Sequence, residues 1–360
     1  MRNRSDMKTV VLLLALLLFE VSCSPSTSPD EGNMCLADQL ELESEIASHL
    51  NAYDADTDFT VLIRTASDRN LSHSTGGSSP LVSYRSASTS KLVTSVVVLD
   101  LVQQGLLDLN DHPQLYISSW PTNGTLSRIT LRHLLSFTSG LIEEPLCVHL
   151  SGADFASCVD RIAEVNASSP EPGERFYYGS PHMQVAGLMA VNASSANSWS
   201  DVFDGFQLRT GLLGNSEYDL PSSSNPRLAG GMHWNAEDYL AFLGAIYNKE
   251  VLTPSLISEL NRDQIGDAVI DYSPALEGIE EDWHYGLGVW VECHRASFDC
   301  AQTTTISSAG AYGAYPFIDY ANGYYGIVAR EGALTTFDRG YELFESVAGL
   351  LESWVDLDCD

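Results

Sequence analysis

The stretch SASTSKLVTSVVVLDLVQQG, residues 86 to 105, opens with five small residues and a lysine and then runs into an apolar helix. The lysine is the anomaly. Lys91 falls in the first turn of the predicted helix, where the macrodipole is positive and a capping box would carry Glu or Gln. The chain has only three lysines, at 8, 91 and 249, against fifteen arginines. Ser88 lies three residues earlier, so helical spacing brings its hydroxyl and the amine onto one face, within hydrogen-bonding reach. Burial and the positive helix end would both depress the lysine pKa, leaving a neutral amine able to accept the proton of a serine nucleophile. The backbone N–H of Ser88 is placed to donate to a developing oxyanion. S-x-x-K alone is a frequent chance match, so the rest of the chain has to support it.

Four further stretches follow in order: ITLRHLLSFTSGL at 129–141, PGERFYYGSPHMQVAG at 172–187, RLAGGMHWNAEDYLAFL at 227–243 and HYGLGVW at 284–290. With S-x-x-K they resemble the serine β-lactamase superfamily, in its class C-like branch with D-alanyl-D-alanine peptidases and β-lactamase-like esterases. The resemblance covers Ala37 to Val355. It implies that Ser88 is the acylated nucleophile and that Lys91 assists it. The family's Y-x-N motif falls on YGS, which makes Tyr178 the proton shuttle and puts Ser180 where Asn usually stands. A tyrosine shuttles protons if its pKa falls from about 10, as a nearby lysine ammonium would achieve. Whether Lys91 or Tyr178 takes the first proton stays open.

The third motif, K-T-G or H-T-G on a strand beside the site, has its counterpart in Ser308, Ala309 and Gly310. Here the sequence departs from the family pattern. No Lys, Arg or His occurs between Phe298 and Ala329, so this strand offers no cation to a substrate carboxylate, and penicillin-like substrates lose ground. The backbone N–H of Ala311 would complete the oxyanion hole with that of Ser88, whatever the side chain. His133, amid helical leucines, reads as structural; His182, His233 and His284 lie near motifs, where packing or surface roles suffice.

The apolar periodicity makes ADQLELESEIASHLNAY (37–53) a first helix, with Leu40, Ile46 and Leu50 on one side, and FTVLIRT (59–65) a strand. Helical patterns fill the middle, in ITLRHLL, DFASCVDRIAEV, MQVAGLMAV and AEDYLAFLGAIY. Strand-like runs return in YGLGVWVEC, AYPFID and YYGIVAR, and YELFESVAGLLESWV closes the chain as a helix. Strands from both ends of the chain imply an α+β fold: one antiparallel sheet flanked by terminal helices, with a mostly helical inserted subdomain. The resemblance implies the β-lactamase-like (DD-peptidase-like) fold, with an α/β part at 37–85 and 284–360 and a helical part at 86–283.

The 48 acidic against 18 basic residues give a net charge of −30, which excludes a nucleic-acid role and repels anionic membrane surfaces. Residues 1–22 place Arg2, Arg4 and Lys8 before a short apolar run, the pattern of an export signal. Cys23 and the polar stretch to residue 36 resemble a lipoprotein tether. Glu20 stands where such signals carry an aliphatic residue, so lipidation at Cys23 stays open. Six further cysteines suit an oxidising, periplasmic or cell-surface or secreted location. Short loops suggest pairing Cys147 with Cys158 and Cys293 with Cys300, leaving Cys35 for Cys359. No metal-ligand spacing is present, the DADTD run at 54–58 lacks the glycine and glutamate of a calcium loop, and no metal or organic cofactor is implied.

The expectation is therefore an exported serine hydrolase that cleaves a small ester, amide or peptide through a Ser88 acyl-enzyme, with Ser180, Ser308, Ala309 and Gly310 orienting the substrate. An esterase comes first, and a β-lactamase or D-alanyl-D-alanine carboxypeptidase-like peptidase second. A catalytically silent envelope binding protein is the reading from outside the enzymes.

Overall fold

Tyr324–Arg330 is buried along its whole length, so both of its faces are covered. In the computed structural model, which describes residues 29–292, 305–357 and 359, this strand lies near the middle of a seven-stranded sheet. The order across the sheet is Asn70–Ser74, Phe59–Thr65, Tyr324–Arg330, Tyr315–Asp319, Thr305–Ser307, Trp290–Val291 and His284–Tyr285. Every pairing in it is antiparallel, and Phe59 opposite Arg330 joins the two ends of the chain, as expected for this fold class.

Neighbouring residues of a strand point to opposite faces. Tyr325 meets Tyr247 of the Ala236–Tyr247 helix, while Tyr324 packs on Phe317, which in turn touches Phe344 of the Phe337–Glu345 helix. One face thus carries the terminal helices and the other the helical part. Arg69, in the turn between the first two strands, donates to the backbone carbonyls of Trp354, Val355 and Leu357, and its guanidinium lies 4.7 Å from the Trp354 ring centroid. It closes the exposed carbonyl end of the last helix.

The structure differs from the expectations at several points. The first helix runs from Pro29 to Ala52, so it begins eight residues before the expected Ala37. Ile46 and Leu50 are buried in the core, but Leu40 is exposed, since at 3.6 residues per turn it points about 120° away from Ile46. The run YGLGVWVE is a hairpin, since Gly286 donates back to the Val289 carbonyl and Gly288 takes a positive φ. The closing helix breaks into Phe337–Glu345 and Ala348–Asp356, which lets Phe344 and Trp354 both reach the interior. Asn70–Ser74 and Thr305–Ser307 are strands with no apolar alternation to announce them.

Disulfides join Cys35 to Cys359 and Cys147 to Cys158, as the spacing suggested. The proposed Cys293–Cys300 pair, Cys23 and the export signal lie outside the described residues. No helix among the described residues is long and apolar enough to cross a membrane.

Replacing Arg69 with alanine removes three charge-assisted bonds and the stacking contact. It should lower the free energy of unfolding in urea by about 2–3 kcal/mol. An unchanged unfolding midpoint would show that the last helix does not depend on this cap.

Candidate active site

From Ser86 to Leu101 every residue is buried except Ser88. Ser88 sits not in the helix proper but in a 3₁₀ turn, Ala87–Thr89, that feeds the Ser90–Gln103 helix. Ala87, just before it, holds φ +43°, a conformation that costs a non-glycine residue about 1–3 kcal/mol and must be imposed by its surroundings.

Those surroundings are the RLAGGMHW segment and the strand after Ser307. Met232 donates from its backbone to Ser86 Oγ, and Trp234 Nε1 donates to Thr89 Oγ1 at 2.8 Å. Tyr239 donates its hydroxyl to the Thr89 carbonyl, while Ser90 and Thr94 donate to the Leu228 carbonyl. Gly310 packs so closely that a Cβ there would lie 2.8 Å from the Ser86 carbonyl oxygen. The small residues SASTS are thus required by packing as well as by chemistry.

Lys91 Nζ lies 2.8 Å from Ser88 Oγ and donates to the Ala229 carbonyl at 2.7 Å. Burial, reinforced by the positive charge of Arg227, brings its pKa down from 10.5 to about 7, with Glu144 opposing the shift. The amine is therefore largely neutral at a mildly alkaline pH. The helix end invoked from the sequence is not needed to explain this.

Tyr178 completes the cluster, lining the same cleft as Ser88 and Lys91. Its ring is fixed by a parallel stack on Trp290 at 5.1 Å and by edge contacts with Phe137 and Tyr285. Lys91 Nζ lies 4.6 Å from the ring centroid. Burial pushes the Tyr178 pKa up, which corrects the expectation of a phenolate held by a lysine ammonium. With a neutral amine the Ser88 hydroxyl donates to Lys91 Nζ, and the protonated phenol stands beside them as a proton donor.

The cleft over these groups has a volume of about 290 Å³. Ser180, Ala309 and Ala311 line it, as do Arg227 and Glu144. Ser180 holds the N-cap position of the Pro181–Ala193 helix without a side-chain cap bond, and its backbone N–H donates to Glu144 Oε2. Ser308 is placed differently from the expectation: its buried hydroxyl donates to the Ser88 carbonyl at 3.3 Å, steadying the nucleophile's turn from behind. Gly310 accepts Gly313 N–H and donates to Ala314, in the tight turn that presents Ala311.

The histidines near the motifs serve structure. His133 caps its own helix with Thr130. His182 is fully buried between Ser139 Oγ and the Tyr177 carbonyl, and burial lowers its pKa to about 3. His233 pairs with Asp219 and His284 with Asp263. Among the described residues no group of three or more His, Cys, Asp or Glu side chains is placed to hold a metal. Sequence reasoning passed over Trp290, Arg227 and Glu144. The first two lie within the quoted motifs, but nothing in their spacing says that they turn toward Ser88.

A serine paired with a buried lysine and a phenol, at the junction of sheet and helical part, defines a class of acyl-transferring hydrolases. The chain belongs to the Beta-lactamase family, whose family model matches residues 76–342. Its members are serine hydrolases acting on small ester or amide substrates. The chain is similar to a protein assigned to the β-lactamases from Bacteroides dorei DSM 17855, with 26% identity, a TM-score of 0.70, and 86% of this chain and 98% of that one covered. It shares the fold of EstCE1, with 16% identity, a TM-score of 0.69, and coverage of 87% and 99%. It also shares the fold of the D-amino acid amidase of Ochrobactrum anthropi SV3, with 15% identity, a TM-score of 0.67, and coverage of 88% and 98%. Protein flp of Staphylococcus aureus (strain COL) is 29% identical over 136 residues, 34% of this chain. The chain spans about a quarter of the length of such curated relatives, 26% in this case.

Gly288 turns the hairpin that carries Trp290 and packs on the Lys91 helix. A Cβ there would lie 2.0 Å from Ser95 Oγ and 2.9 Å from the Lys91 carbonyl oxygen, at φ +81°. Gly288→Ala should therefore destabilise the fold by about 2–4 kcal/mol in chemical denaturation. A variant as stable as wild type would show that the two elements are not locked together here.

Proposed function

We propose that the protein is a serine hydrolase that cleaves small esters or amides through an acyl-enzyme on Ser88. The observation that carries this reading is the Ser88–Lys91 hydrogen bond with Tyr178 beside it, in one open cleft.

In the reaction, neutral Lys91 takes the Ser88 proton as Oγ attacks the carbonyl carbon. The backbone N–H groups of Ser88 and Ala311 receive the oxyanion. Tyr178 gives its proton to the leaving group. The Lys91 ammonium formed in the same step, close over the ring, stabilises the transient phenolate and then returns the proton to it. Water, relieved of a proton by the same pair, releases the acid and restores Ser88. This sequence reconciles a phenol that is protonated at rest with its use as a shuttle. Ser180 orients the substrate from the cleft wall, while Ser308 positions the nucleophile's turn.

Proteins with this fold include a hydrolase with promiscuous acyltransferase activity and a D-amino acid amidase, so ester and amide chemistry are both within its reach. An esterase is the first choice, since the Ser308–Ala309–Gly310 segment brings no cation to the place where the family's third motif would grip a β-lactam carboxylate. The two disulfides fit export to an oxidising compartment.

A fluorophosphonate probe should label Ser88 in wild type and not in Ser88→Ala, read by peptide mass mapping. Labelling that persists in the variant overturns the nucleophile assignment. Hydrolysis of 4-nitrophenyl esters without turnover of nitrocefin would separate esterase from β-lactamase. Lys91 acts as base only when unprotonated, and its neutral fraction grows above its pKa. The kcat/KM for a neutral ester should accordingly climb with pH through about 7 and then level off. Lys91→Met should lower kcat by about 10²–10⁴. A flat profile from pH 5 to 9 would contradict lysine as the base.

A further inference from the structure

Arg227 lines the cleft together with Ser88 and Lys91, and its partners distinguish it from most of the described arginines; Arg64 and Arg69, which also bond neutral acceptors, lie away from the cleft. Arg85, Arg128, Arg132, Arg175, Arg209 and Arg330 each contact a carboxylate. Among the described residues, the Arg227 guanidinium is given two neutral acceptors instead: His149 Nδ1 at 3.1 Å and the Gly230 carbonyl at 3.4 Å. In a chain with 48 acidic and 18 basic residues, a cleft-wall arginine without a carboxylate partner is conspicuous.

The nearby Glu144 does not fill that place. Its Oε1 meets His149 Nε2 at 2.6 Å and its Oε2 accepts the Ser180 backbone N–H at 3.1 Å. His149 thus stands between the two, its Nε2 toward Glu144 and its Nδ1 toward Arg227. The arrangement is held in advance. Asn225, two residues before Arg227, donates to the carbonyls of Cys147 and Leu150, which bracket His149, and Cys147 is tied to Cys158. Gly230 leaves room for the guanidinium, since a Cβ there would lie 3.2 Å from its nitrogens.

We infer that Arg227 is the anion grip of the cleft, so that the substrate carries a carboxylate beside its scissile ester or amide. A planar guanidinium presents paired donors that match a carboxylate, and part of its fork is already fixed by His149. Arg227 supplies a cation from its own side of the cleft, apart from the Ser308–Ala309–Gly310 segment, which has none. Tyr272, Pro274, Leu334 and Phe337 supply apolar cleft wall for the remainder of the substrate. The inference rests on the serine-hydrolase reading and narrows its substrates.

The test compares kcat/KM for 4-nitrophenyl hydrogen glutarate and for the neutral 4-nitrophenyl hexanoate, each at the plateau of its pH profile. The anionic-to-neutral ratio should fall about tenfold or more in Arg227→Gln and recover partly in Arg227→Lys. It should also shrink with added salt in wild type. A ratio unchanged by Arg227→Gln overturns the inference, even if both rates drop. Calorimetric titration with glutarate gives a readout that does not need turnover. Binding to Ser88→Ala that weakens about tenfold or more in the Ser88→Ala, Arg227→Gln double variant supports the grip, and absent or equal binding overturns it. Failure of the hydrolase reading itself would show separately, as a Ser88 that fluorophosphonate does not label.

Discussion

The whole site depends on one desolvated amine. Lys91 is enclosed between Ser88 Oγ and the Ala229 carbonyl, and among the described residues no carboxylate lies within ion-pair distance of it. Burial penalises its charged form, so the group that is a cation on the surface becomes a base here. A lysine in the first turn of a helix is a poor choice for the helix. It is a sound choice for removing a proton from a hydroxyl one turn away.

Much of the surrounding structure keeps that amine dry and the hydroxyl within reach. The Leu228–Tyr239 segment contributes acceptors and donors along the 86–94 stretch, and its carbonyls replace the water that Lys91 gives up. The Gly288 hairpin brings Trp290 onto Tyr178, so the phenol is placed by an aromatic stack formed between the sheet and the helical part. The protonation states of amine and phenol are opposite to those in water-exposed side chains working as an ion pair. A protonated phenol and a neutral amine can exchange charge during the reaction without a resting ion pair to break.

Much of this was legible in the sequence. The apolar periods gave the terminal helices and the helical middle, and the return of strand patterns near the end gave a sheet built from both ends of the chain. Ser88, Lys91 and Tyr178 were readable as a cluster because S-x-x-K has helical spacing and YGS accompanies it. The direction of the Tyr178 shift was not, since it depends on how many rings surround the phenol, and Phe137 comes from a different segment than the hairpin that carries Tyr285 and Trp290. Arg227 was hidden for a similar reason: its meaning lies in which acceptors it meets, and His149 is 78 residues away. Strands such as Thr305–Ser307 carry too few residues for a period to show.

The most direct test of the account is the titration of Lys91 itself, by NMR of protein carrying ¹³C-labelled lysine. The chain has only three lysines, and a Lys249→Arg variant assigns the signals. A Lys91 side chain that changes protonation near pH 7 is the predicted result. One that stays an ammonium up to its ordinary value of 10.5 would contradict the idea that burial makes it the base.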